Sequence, residues 1–225
     1  MYFSRIELNR SGAGVAQLLK TMSADDYRHH QFVWRLFKGV EDRDFLYRRE
    51  DAGNWPRYYT VSSREPTDSE GLWTIETKPY VPKLTGGEAL AFSLRVNPVV
   101  TRKGENGRQQ RHDVVMDHKR KIGFKDLPRS ERPSLPQIMR AAGLEWLRGR
   151  AAKHGFSFDG GLVTVDAYEQ HQSLKKEGGK PISFSTLDFG GVLTVTDSSV
   201  FSQTLFNGIG PAKGMGCGLL MVRRI

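Results

Sequence analysis

From Ser134 onward the hydrophobic period changes in a set order, and that order restricts the fold more than any other feature of the chain. Ser134 to His154 repeats apolar residues at helical spacing, and Leu162 to Tyr168 and Ile182 to Thr196 alternate as strands. Ser198 to Phe206 returns to the helical period and Gly218 to Arg223 to the strand period. With a short strand at His112 to Met116 ahead of them, the succession is strand, helix, strand, strand, helix, strand, the order of a ferredoxin-like unit.

The N-terminal half allows a similar reading. Alternation predicts strands at Tyr2 to Leu8, Phe45 to Arg49, Tyr58 to Ser62, Leu72 to Glu76 and Leu90 to Val99. A helix interrupts them from Ala24 to Phe37, with Ser23 and Asp26 spaced as a capping box and Phe32, Val33, Leu36 and Phe37 at helical intervals. The second helix of this half has no clear signature. Between Thr101 and Arg132 the periods fail among Gly104, Gly107, Pro128 and many charges, which predicts a mobile basic connection. The expected architecture is therefore α+β, with two tandem βαββαβ domains over 1–100 and 101–225, the connection occupying 101–132.

No run approaches the roughly 18 uninterrupted apolar residues of a membrane span, and Met1 to Arg10 lacks the order of a signal peptide, so a cytoplasmic location is expected. The single cysteine, Cys217, excludes a disulfide framework and a multi-cysteine zinc site, and it reads as structural. Lys and Arg number 34 against 25 Asp and Glu, a formal net charge of +9. A surface so charged attracts polyanions, and nucleic acid is the first partner to test.

Two segments carry chemistry. In Asp25-Asp26-Tyr27-Arg28-His29-His30-Gln31, a helix turning about 100° per residue puts Tyr27, His30 and Trp34 on one flank of the apolar arc, while His29 points into it. Adjacent helical histidines diverge too far to share a metal ion, and no dense Asp/Glu cluster is available for magnesium, so no metal and no cofactor is expected. A rim imidazole with a pKa of about 6.5 gives or takes protons at neutral pH. RNA brings its own nucleophile, the 2′-OH, and needs only proton removal, proton delivery to the leaving 5′-oxygen and charge stabilisation. The competing reading is a surface histidine beside a core-edge tyrosine.

The second segment is Asn207-Gly208-Ile209-Gly210-Pro211-Ala212-Lys213-Gly214-Met215-Gly216-Cys217-Gly218-Leu219-Leu220, whose glycines admit a close ligand and whose Lys213 adds charge. It joins a helix to a strand, the reverse of a nucleotide-binding loop, so a mononucleotide is not its partner. Basic residues also gather at Arg102, Lys103, Arg108, Arg111, Lys119, Arg120 and Lys121; at Arg140, Arg148, Arg150 and Lys153; and at Lys175, Lys176 and Lys180, which read as a hairpin tip. A cluster at a tip gains little within the fold but can enter a groove of RNA.

These residues resemble CasE, the endoribonuclease family of type I-E CRISPR systems within the RAMP superfamily. The resemblance rests on Met1-Tyr2-Phe3-Ser4-Arg5, on Tyr27-Arg28-His29-His30-Gln31, which matches the family's Tyr-x-x-His, on Leu94-Arg95-Val96-Asn97-Pro98, and on Gly208-Ile209-Gly210-Pro211-Ala212-Lys213 with Gly214-Met215-Gly216-Cys217-Gly218-Leu219-Leu220. Trp146-Leu147 through Gly155-Phe156 and Phe189-Gly190-Gly191-Val192-Leu193 support it, and the matches are collinear over essentially the whole chain.

The resemblance implies two ferredoxin-like domains side by side and metal-independent cleavage of CRISPR repeat RNA at the 3′ base of its hairpin, with the product retained inside the Cascade complex. It implies Tyr27 and His30 as the catalytic pair and Lys175, Lys176 and Lys180 as the tip gripping the stem. Lys213, Gly210 and Gly214 would form a loop near the RNA backbone, and Arg148 would be a further RNA contact. The alternative expectation is a non-catalytic subunit that binds an RNA hairpin within a ribonucleoprotein complex.

Overall fold

The computed structural model describes residues 1–9, 26–39, 42–53, 55–104, 107–174 and 181–225. The chain forms two compact units. The first comprises Met1–Lys83, Gln170–Phe184 and Leu205–Leu219; the second comprises Leu84–Glu169, Ser185–Thr204 and Leu220–Ile225. No helix among the described residues is long and apolar enough to cross a membrane.

In the first unit β1 (Tyr2–Leu8), α1 (Asp26–Arg35), β2 (Phe45–Ala52), β3 (Trp55–Ser62) and β4 (Trp73–Pro79) follow one another, and the strands join in the order β2-β3-β1-β4. Every pairing is antiparallel, with Tyr2 opposite Ser62 and Glu7 opposite Arg57 on one side of β1. Period-two alternation sends Ser4, Ile6 and Leu8 inward and leaves Arg5 and Glu7 between them on the other face. The apolar arc of α1 and its following turn, Phe32, Val33, Leu36 and Phe37, closes over Ile6, Leu8, Phe45, Tyr47 and Tyr58. A ten-residue helix is marginal in water by itself, so this packing holds α1 in place. His29 is buried at its centre, joined by a 2.5 Å hydrogen bond between Nδ1 and the Tyr58 hydroxyl. Burial drives the Tyr58 phenol far above its usual range, so that hydroxyl keeps its proton. The Ser23 capping box lies outside the described residues.

The second unit holds β5 (Ala89–Val96), α3 (Leu135–Ala151), β8 (Phe156–Ser157) and most of β9 (Val163–Leu174), β10 (Pro181–Val195) and α4 (Ser198–Asn207), then β11 (Leu220–Arg224). Its sheet runs β11-β5-β10-β8, with β9 also on β10. α3 begins just after Ser134, whose backbone N–H donates to the Gln137 side chain at 2.7 Å in a capping box. The division expected at residue 101 differs from the observed units, because β5 pairs with β10 and β11 rather than with the first sheet. Nor does that strand reach Val99: Asn97-Pro98 interrupts it, since proline has no N–H to give to a ladder.

The expected mobile connection over 101–132 and the expected strand at His112 to Met116 are corrected by the structure. Val99–Lys103 and Gln109–Asp113 pair as a hairpin, β6 and β7, and α2 (Val114–Lys121) begins where a strand was expected. Asp113 is the reason, since its Oδ1 accepts the Met116 N–H at 2.9 Å and caps the helix. Arg102 reaches α2 as a fork, Nε to Oδ1 of Asp117 at 2.7 Å and Nη2 to Oδ2 at 2.5 Å, while Arg120 and Lys121 approach the same carboxylate. The charge of Arg102 is thus neutralised within the fold.

Chiefly through the Arg102 hydrogen bonds, the Asp117 carboxyl titrates at about 2 rather than its ordinary 3.8. A depressed carboxylate contributes stability above its unfolded value and loses it as pH falls through the folded one. Because Arg102 is partly open to solvent, Asp117 contributes at most about 2 kcal/mol, present above about pH 4 and fading toward about pH 2. Urea unfolding should therefore show wild type more stable than Asp117→Asn at neutral pH, with the gap closing in that acid window. A gap that does not change with pH would count against this account.

Candidate functional site

Tyr27, His30 and Trp34 line one flank of α1 as ring neighbours. Tyr27 and His30 stack with centroids 5.6 Å apart and 26° between planes, and His30 meets Trp34 at 5.5 Å. Trp34 stands edge-on to Phe45 at 5.5 Å, so the flank is braced by the core. Tyr27 and His30 are half-buried, which leaves each a face toward solvent.

The glycine-rich segment meets this flank from the other side. After α4 the chain passes beside Leu46 at Gly208, where a Cβ would come within 2.9 Å of that side chain, and beside the Tyr47 ring at Gly216, where it would come within 3.1 Å. Leu46 and Tyr47 point to opposite faces of β2, the outer strand of its sheet, so the segment wraps the strand's edge. Both glycines have positive φ, +71° and +78°, which side chains other than glycine rarely adopt. Ile209 N–H donates to Gly218 O at 2.9 Å and Met215 N–H to Ala212 O at 2.8 Å, closing the loop on itself around the short helical turn Lys213–Met215.

One atom joins the two elements. The Gly214 carbonyl oxygen accepts from His30 Nδ1 at 2.6 Å and from the Tyr47 hydroxyl at 3.1 Å. A carbonyl only accepts, so the His30 proton at this contact sits on Nδ1, and proton exchange by the ring falls to Nε2. Lys213, the preceding residue, loses some proton affinity through burial and then through the nearby positive charge of Arg43.

Of the residues singled out from sequence, Tyr27, His30, Gly210, Lys213 and Gly214 fall within the first unit, with His30 and Gly214 in direct contact. Gly210 lies in the loop with φ +82°. Arg148 belongs to the second unit, exposed on α3 with its guanidinium lying against Gly160. Lys175, Lys176 and Lys180 lie outside the described residues. Sequence reasoning missed Tyr47 and Arg43. Alternation along β2 places Tyr47 inward with Phe45, and a buried tyrosine needs a hydroxyl partner, which was the available signal.

Residues 1–224 match the family described as CRISPR associated protein. The Cascade subunit CasE of Escherichia coli strain K12 is 30% identical over 228 residues, 98% of each chain. The chain belongs to the CRISPR-associated CasE family. The crystal structure of the CRISPR-associated protein Cas6e from E. coli K-12 covers all of both chains at 25% identity with a TM-score of 0.65. A CRISPR endoribonuclease Cse3 bound to a 19-nucleotide RNA covers 99% of this chain and 100% of its own, at 24% identity with a TM-score of 0.70, a likeness of fold. The CasE-type chain has Tyr27 and His30 three positions apart on α1, with His30 directly against the glycine-rich loop.

Proposed function

We propose that this protein is a metal-independent endoribonuclease that cuts CRISPR precursor RNA at the 3′ base of the repeat hairpin and keeps the guide RNA as part of Cascade. The observation that carries the reading is the His30 Nδ1 to Gly214 hydrogen bond, which orients the imidazole and leaves Nε2 as its proton-transfer atom. The names of the relatives, a Cascade subunit and an RNA-bound endoribonuclease, supply the substrate class and the partners.

In the reaction the 2′-oxygen loses its proton and bonds to the adjacent phosphorus, the bond from phosphorus to the 5′-oxygen breaks, and that oxygen gains a proton. The products are a 2′,3′-cyclic phosphate and a 5′-hydroxyl. His30 carries one of the two protons at Nε2, and Tyr27, stacked on it, aligns the scissile phosphate or shares the transfer. Lys213 and the amides around Gly210 and Gly214 face the RNA backbone, Arg148 adds a contact from the second unit, and Lys175, Lys176 and Lys180 grip the stem. Phosphate contacts that survive cleavage retain the product. Both units are read as ferredoxin-like, with β4-β1-β3-β2 and β11-β5-β10-β8 each in the strand order of that fold and the second domain starting at β5.

Incubating the protein with a hairpin-forming CRISPR repeat RNA in excess EDTA should give full cleavage, a single cut at the hairpin base and a 3′ end that becomes a linear phosphate in acid. Loss of cutting on chelation, restored by a divalent ion, would assign the chemistry to a metal instead. Tight binding with no cut would leave an RNA-holding subunit.

A further inference from the structure

Arg43 stands just before β2, half-buried, and its Nη1 is shut away from solvent with no hydrogen bond among the described residues. The other arginines of this sheet and its margin are neutralised. Arg5 meets Glu76, Arg48 meets Glu50, Arg49 meets Asp51 and Arg57 meets Glu7. Asp44, next to Arg43 in the chain, pairs instead with Arg64 at 2.9 Å and accepts from the Ser63 hydroxyl at 2.7 Å. Lys213 feels the positive charge of Arg43, and Arg43 in turn lies near the hydroxyl-bearing ring of Tyr47. Burial lowers the proton affinity of both cations.

Two partly desolvated cations within reach of each other's charge are unfavourable unless an anion joins them. Lys213 adjoins Gly214, whose carbonyl holds both His30 and Tyr47, so one cation of the pair and the proton-transfer ring meet on one short turn. An anion there would have to be small and rich in acceptor oxygens, and a phosphodiester fits: a guanidinium fork can hold its two non-bridging oxygens while the ammonium adds charge.

We propose that Arg43 is a catalytic residue that grips the non-bridging oxygens of the scissile phosphate, with Lys213 beside it, and holds the second negative charge as the phosphorane forms. The role rests on the ribonuclease reading and adds to it the group that stabilises charge, which His30 and Tyr27 do not supply.

The test is single-turnover cleavage of repeat RNA by Arg43→Met and Arg43→Lys, alongside binding of the same RNA carrying a 2′-deoxy residue at the cut. Arg43→Met should cut about 10²–10³-fold more slowly, and Arg43→Lys should recover part of that loss. Affinity for the uncleavable RNA should fall by no more than about tenfold, the scale of one lost phosphate contact. Should Arg43→Met fail to fold, Arg43→Lys and a sulfate titration still decide. Sulfate should raise the melting temperature of wild type more than that of Arg43→Lys, and equal shifts together with equal cutting rates would overturn the assignment. Wild-type cutting by a folded Arg43→Met would overturn it outright while leaving the nuclease reading intact. If wild type leaves the RNA uncut, it is the nuclease reading that falls, and the sulfate titration still reports on the anion site.

Discussion

His30→Ala will retain affinity for repeat hairpin RNA and will cut it about 10²–10⁴-fold more slowly than wild type, the range expected when a positioned proton-transfer group is removed. The substitution deletes the ring but leaves its surroundings. α1 remains anchored by Phe32, Val33, Leu36 and Phe37, and Gly214 O keeps the Tyr47 hydroxyl as a donor. The neighbouring imidazole gives the control. His29 is buried on Tyr58, so His29→Ala strands a buried hydroxyl and should cost about 1–3 kcal/mol of stability. The His29 variant that remains folded should still cut. Gel-resolved single-turnover rates and melting curves on both variants separate the roles: rapid cutting by His30→Ala, or loss of cutting in folded His29→Ala, would transfer the chemistry to another residue.

The largest effect on stability is expected at Gly191, in the middle of β10. A Cβ there would lie 2.1 Å from Leu162 O and 2.9 Å from Val163 Cα, and the backbone φ of +147° disfavours any side chain. Both neighbours are backbone, so no rotamer change relieves the contact. Backbone strain of about 1–3 kcal/mol adds to an overpacking cost of similar size. Gly191→Ala should therefore destabilise the second unit by about 3–5 kcal/mol, lowering its melting transition by roughly 10 °C. Gly149, exposed on α3 with nothing within 4 Å of a built Cβ, is the counterpart. Gly149→Ala should hold or raise stability by up to about 1 kcal/mol, since alanine favours the helix. Equal melting temperatures for the two variants would contradict the close approach at Leu162.

Elements governed by local period are legible in the amino-acid order alone. β1 spans the residues its alternation marks, and α3 starts at the head of the segment whose helical spacing begins at Ser134. The helix flank bearing Tyr27, His30 and Trp34 follows from a turn of about 100° per residue, and the rings are neighbours in that sequence. Pairing partners are not legible, because alternation says which face a strand buries but not which strand lies beside it. Chain order therefore groups β5 with the first sheet, although it pairs with β10 and β11. Asp113 shows a different limit. One capping carboxylate turns Val114 to Met116, β-branched at its start, from the expected strand into a helix. The Gly214 carbonyl has no signature at all, since every residue has one and only the tertiary fold selects this one for His30.

The contact between His30 and Gly214 spans 184 positions of the chain. Along the chain Tyr27 and His30 precede most of the strands, whereas the carbonyl that holds the imidazole follows nearly all the strands of both sheets. A nascent or prematurely terminated polypeptide that folds its first four strands still lacks that anchor. On the reading proposed above, a fragment that stops short of the glycine-rich loop carries Tyr27 and His30 without the carbonyl that holds the imidazole.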